Sequence, residues 1–160
     1  MIIRLAENRD IPGIIRLLKQ VGQVHRDIRP DLFRSGAQKY NERQLEQLLM
    51  DPDRPIFAAL EGDTLLGYCF CVLETVAGDT VLQDVKSLYI DDLCVDEGCR
   101  GQGVATKLYD HVRAFARSQG CGSITLNVWC GNDNAMRFYE NRGMKPRKIY
   151  MEDRLEESQC

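Results

Sequence analysis

A strand-like run, Leu93-Cys94-Val95, passes through Asp96-Glu97-Gly98-Cys99 into Arg100-Gly101-Gln102-Gly103-Val104-Ala105, where a helical period begins. This junction constrains the fold more than any other stretch. A strand that feeds a glycine-rich turn and then a helix start is a device for anions. The free N–H groups of the first helical turn point outward, and the helix dipole favours negative charge there. Glycines at 101 and 103 let the backbone approach an anion without a Cβ, and Arg100 adds positive charge. Two familiar phosphate sites do not fit. A P-loop needs a Gly-Lys pair, which occurs nowhere in the chain. A dinucleotide fold needs Gly where Thr106 stands and an acid about 20 positions on, where Ile124, Thr125 and Leu126 lie instead.

Around this junction the periodicities predict an order of elements. Ile2–Ala6 reads as a strand, and Asp10 as the cap of a helix with Pro12 in its first turn. The period breaks at Gly22, which predicts a long charged loop to Gly36. A second helix is expected over Lys39–Met50, and a hairpin over Ile56–Glu61 and Leu65–Val76 about Gly62-Asp63. A strand over Lys86–Val95 precedes a helix over Gly103–Gln119 with Val104, Leu108, Val112, Phe115 and Ala116 on one face. Then come a strand over Ile124–Trp129, a helix over Asn132–Asn141 and a last strand over Lys145–Met151, with a fraying tail over Glu152–Cys160. The hairpin demands antiparallel pairing and the crossover from Lys86 to Trp129 a parallel pair, so the fold class is α/β with a mixed central sheet flanked by helices.

The 160 residues suit one domain, taken here as 1–160. The longest apolar run, Leu65 to Leu73, falls far short of the ~20 residues of a membrane span. The charged N-terminus lacks a signal core, so a soluble cytoplasmic protein is expected. With 21 basic and 24 acidic residues there is no concentrated positive charge for nucleic acid. The net charge of −3 is compatible with a small cationic substrate. Seven Cys, no CxxC pair and two His suggest neither a disulfide framework nor a metal site, and the Cys are read as reduced and structural.

The segment RGQGVA resembles the [RQ]xxGx[AG] signature of the GNAT N-acetyltransferase family. Asn132–Met144 is similar to that family's NxxAxxFYxxxGF pattern, with Met144 in place of Phe, and Tyr89–Val95 is similar to its central strand. The resemblance is firm from Tyr89 to Met144. It implies central parallel strands that splay, with acetyl-CoA in the gap as co-substrate. Its pyrophosphate would lie on Arg100, Gly101, Gln102, Gly103, Val104, Ala105 and Thr106, and its arm would bond the backbone of Leu93, Cys94 and Val95. Asn132 would lie near the pantetheine and Tyr139 near the thioester sulfur.

Acetyl transfer to an amine needs a base, because only about one primary amine in a thousand is neutral at pH 7. Asp91 and Asp92 are the candidates. They alternate faces in a regular strand, and a bulge would turn both toward the pocket. The pair is similar to the Glu-Asp of diamine acetyltransferases, with a shorter reach at the first position. Tyr139 is the candidate acid, and a backbone N–H near Val95 the oxyanion donor. An acyl-cysteine route through Cys94 or Cys130 would need a nearby base. The only His are His25 in the expected loop and His111 in a helix, so direct attack in a ternary complex is the reading. His25, Asp31 and Phe33, with Asp91, are the expected acceptor contacts. The expected acceptor is a small polyamine-like or amino-acid-like amine. A protein N-terminus or lysine is the alternative, a non-catalytic acyl-CoA sensor is the rival of another class, and a homodimer is compatible.

Overall fold

The computed structural model describes residues 1–155. Among these, five strands form one sheet in chain order: β1 (Ile2–Leu5), β2 (Ile56–Glu61), β3 (Thr64–Val76), β4 (Val85–Val95) and β5 (Ser123–Leu126). All neighbours are antiparallel except β4 and β5, which are parallel. The helices are α1 (Ile11–Ile28), α2 (Glu42–Leu49), α3 (Val104–Ser118) and α4 (Asp133–Asn141). None is long and apolar enough to cross a membrane.

Strand alternation splits the core into two layers. Ile56, Ala58 and Leu60 of β2, with Tyr68 and Phe70 of β3, face Ile14, Leu17 and Leu18 of α1 and Leu45 of α2. Phe57, Ala59, Cys69 and Cys71 face the other way, onto Val104, Leu108 and Val112 of α3. The expected apolar face of α3 is the one that is buried.

Five expectations need correction. Helix α1 does not stop at Gly22 but runs on to Ile28, which puts His25 and Asp27 on a helix. A Cβ at Gly22 would stand 2.8 Å from the Ala37 carbonyl oxygen, so this glycine serves close packing rather than termination. Asp10 sits at the start of α1, yet its side chain does not cap it. It takes two hydrogen bonds from Arg4, at 2.7 and 3.0 Å, and one from the Glu7 N–H. Strand β5 stops at Leu126, short of Trp129. Residues 145–151 form no strand: Pro146 offers no N–H to a ladder, and Ile149, Tyr150 and Met151 stand exposed. The chain beyond them is held by ion pairs instead, Arg29–Glu152 at 2.9 Å and Arg154–Asp31 at 3.6 Å. Most of the expected fraying tail, with Cys160, lies outside the described residues. The other six Cys are free thiols.

Helix α2 starts at Glu42 rather than Lys39. Asn41 accepts from the Gln44 N–H and Gln44 accepts from the Asn41 N–H, both at 2.9 Å, a reciprocal cap that sets the boundary. Lys39 and Tyr40 thereby remain in the connecting loop, free to reach the sheet.

Candidate active site

The site begins where β4 and β5 part. Their pairing runs from Ser87–Ser123 to Ile90–Leu126 and ends there. Beyond it β4 continues to Val95, bonded only to β3. The β5-facing edge of residues 91–95 therefore has no strand beside it and lies open to another extended chain. This is the splay that the resemblance implied.

At the far end of that edge the chain turns into α3. Gly101 and Gly103 have φ of +76° and +77°, a left-handed conformation that side chains disfavour, and nothing lies within 4 Å of a Cβ at either. Gly103 occupies the N-cap and supplies no side-chain cap. The first-turn N–H groups of Val104, Ala105 and Thr106 are therefore left for an outside acceptor. Arg100 reaches back to the Val95 carbonyl at 3.4 Å and Gln102 to that of Gly98 at 3.3 Å, folding the loop against the strand end. Asn132 caps α4 through the Ala135 N–H at 3.3 Å and lines an open cleft with Val24, Asp27 and Ile28.

The carboxylates owe their placement to a bulge. Phe70 is opposite Asp92 while Cys71 is opposite Ile90, which leaves Asp91 as the extra residue of β4. The alternation shifts by one at that point. Leu88 and Ile90 belong to the layer under α3, but Cys94 belongs to the layer under α1. Asp91 and Asp92 both turn toward the α1–α2 side. The Tyr68 hydroxyl donates to Asp92 at 2.8 Å. Burial pushes the Asp92 carboxyl up to about 6, against the opposing pull of that hydrogen bond and of the Lys39 charge. Asp91 accepts from Tyr40 at 3.3 Å and pairs with Lys39 at 2.8 Å.

The rest of the expected acceptor side is aromatic. Phe33 lies 5.2 Å from His25 of α1 and 5.2 Å, edge to face, from Trp129 just past β5. These contacts link the loop after α1 to the segment beyond the strand opening. Burial and the nearby Lys39 both lower the His25 pKa, which keeps its imidazole neutral at pH 7. Asp31 is engaged elsewhere: hydrogen bonds from Arg29 hold its carboxyl down to about 2. Lys39, Tyr40, Tyr68 and Trp129 are the members that sequence reasoning missed. No spacing rule marks them, and only the alternation of β3 offered a hint for Tyr68.

Tyr139 of α4 lies on the α3 side, edge to face with Phe138 at 5.1 Å and Tyr109 at 6.2 Å. Burial, and after it the neighbouring Cys69 and Asp92, push its phenol well above the ordinary value. Cys94 is buried against α1, its thiol 3.6 Å from the Leu17 carbonyl, and burial pushes it up to about 12. Neither His adjoins it: His25 stacks on Phe33, and His111 meets Phe57 at 5.0 Å on the α3 side.

Residues 21–144 match the model of the Acetyltransferase (GNAT) family, and the chain belongs to that family. It is 23% identical to a thialysine N-epsilon-acetyltransferase of Sus scrofa over 157 residues, covering 91% of this chain and 84% of the relative. It is 33% identical to N-alpha-acetyltransferase 30 of Schizosaccharomyces pombe over 95 residues, covering 59% of this chain and 60% of that one. Among solved structures, a mutant of the BH1408 protein of Bacillus halodurans superposes with a TM-score of 0.93 at 29% identity, covering 97% of this chain and 99% of the other. An aminoglycoside acetyltransferase from a soil metagenomic sample, at 18% identity, shares the fold with a TM-score of 0.71, over 97% of this chain and 96% of its own.

Proposed function

We propose that this protein transfers an acetyl group from acetyl-CoA to the primary amine of a small acceptor, by direct attack with both substrates bound. The observation that carries the reading is the parting of β4 from β5 with a helix start at one end and two carboxylates at its rim. Acetyl-CoA, when bound, supplies a thioester carbonyl. Its phosphates suit the free N–H groups at 104–106 with Arg100 beside them, and its extended arm suits the unpaired edge at 93–95.

Asp92 is the better base of the two acids. A carboxyl near 6 is ionised at neutral pH, yet basic enough to help an ammonium lose its proton, directly or through water. Asp91, on the bulge, holds cationic groups in front of it. The raised phenol of Tyr139 keeps its proton at any working pH, and full transfer to a thiolate near 8.5 is uphill. Tyr139 therefore acts by hydrogen-bond donation to the leaving sulfur, with net protonation finished by solvent. The raised, buried Cys94 thiol supports direct transfer over an acyl-cysteine step.

The relatives named for acetylating the Nε of thialysine support a small amine acceptor, and their similarity spans 91% of the chain in the porcine case. The likeness to an N-alpha-acetyltransferase supports the second reading, a protein N-terminus. Thiol release from acetyl-CoA, followed against polyamines, amino acids, aminoglycosides and N-terminal peptides, separates them. Release with a small amine and not with peptides is expected. Tight acetyl-CoA binding with no release for any amine would point to a sensor.

A further inference from the structure

The acid pair at the rim is not vacant. The Lys39 ammonium stands 2.8 Å from Asp91 Oδ2 and 3.4 Å from the Asp91 carbonyl. The Tyr40 ring centroid is 5.6 Å from it, and Asp92 and His25 both feel its charge. The reciprocal cap that starts α2 at Glu42 is what leaves Lys39 free to extend there. Two carboxylates and one ammonium leave a single net negative charge once Asp92 is ionised, with a neutral His25 beside them. An incoming ammonium must take Asp91 from Lys39 or confront it.

We infer that Lys39 is a specificity-determining residue, which gives up Asp91 to the acceptor's ammonium and takes a carboxylate of the same acceptor in exchange. The inference rests on the acetyl-transfer reading and deepens it: the acceptor class is an amino-acid-like zwitterion rather than a diamine. Once the reacting amine has passed its proton to Asp92, the charges balance only in that case. A zwitterion replaces one ion pair with two, Asp91 to ammonium and Lys39 to carboxylate. A diamine takes Asp91 and leaves Lys39 covered with no counter-ion, an arrangement that is costly as water is excluded. A lysine suits the exchange because its ammonium is a point charge on a flexible stem, able to swing between partners.

Lysine and 1,5-diaminopentane test this directly, since they share a skeleton and differ by one carboxylate. With the full chain and acetyl-CoA, kcat/KM for lysine is expected to exceed that for the diamine by about tenfold or more, mainly through KM. Lys39→Met, similar in length and uncharged, is expected to erase or invert that ratio, and Lys39→Arg to keep its sign. A ratio unchanged in Lys39→Met overturns the assignment while leaving acetyl transfer in place. So does an equal loss for both acceptors, the mark of a merely structural lysine. No thiol release with either acceptor counts against the transfer reading instead. Calorimetry with acetyl-CoA present then decides on Lys39. Tighter lysine binding that is lost in Lys39→Met supports the exchange, and equal or absent binding of the two overturns it.

Discussion

The helix start at residues 100–106 and the cluster of Lys39, Tyr40, Tyr68, Asp91 and Asp92 both adjoin β4, but they are made of different material. The first is backbone: left-handed glycines and three N–H groups with no partner inside the helix. The second is side chains gathered from the α1–α2 loop, β3 and β4, their charges set by one another. A backbone site needs a short local pattern, and every residue of that pattern is adjacent in sequence. A side-chain site needs elements dozens of residues apart to be brought together. Substitutions should therefore damage one half and spare the other.

The largest effect should come from Gly103→Glu. It combines a strained left-handed side chain with a negative charge at the proposed phosphate site, and acetyl-CoA affinity should fall by about a hundredfold or more in calorimetry. Gly103→Ala, which adds strain alone, should lose much less. Equal losses would make the loop a conformational element rather than an anion site.

Asp92→Asn comes next, with kcat down by about a hundredfold or more and acetyl-CoA affinity kept within a few-fold. The base works only when ionised, so wild-type activity should rise with pH through about 6 and level off above it. That limb should vanish in the variant. A limb surviving in Asp92→Asn would assign the titration to another group.

Tyr139→Phe should lower kcat by about ten- to a hundredfold, the scale of one donor hydrogen bond at a developing charge. Because the phenol is raised, no alkaline limb belonging to Tyr139 should appear in the wild-type profile below pH 10. Phe33→Ala, which removes the bridge between His25 and Trp129, should raise acceptor KM by about fivefold with acetyl-CoA binding unchanged. That variant sharpens the contrast most directly, because Gly103→Glu should do the reverse. The smallest effect belongs to Cys94→Ala: a stability loss of about 1 kcal/mol from a slightly emptied core and a rate within about twofold of wild type. A collapse of activity there would revive the acyl-cysteine route.

Much of the fold was legible because amphipathic periods and glycine turns are local properties. The buried face of α3, the hairpin about Gly62 and the crossover from β4 to β5 all follow from such patterns. Gly22 misled for an instructive reason. A glycine that ends a helix and a glycine that admits a neighbouring carbonyl look the same in sequence, and only the Ala37 oxygen 2.8 Å from its absent Cβ distinguishes them. Lys145–Met151 ends in the strand-like apolar run Ile149-Tyr150-Met151, but a strand needs an edge to join, and none pairs with it among the described residues.

What the chain's order of residues determined by itself is the sheet-and-helix class, its two-sided core and the anion-ready turn at Arg100–Thr106, since each depends on neighbours within a few positions. Tertiary structure alone decided which way the acids point and what meets them. One extra residue at Asp91 reverses the alternation of β4, and a cap at Asn41 releases Lys39 to cross to it. Both outcomes depend on register and on contacts 51 and 52 residues apart in sequence, which no local period encodes.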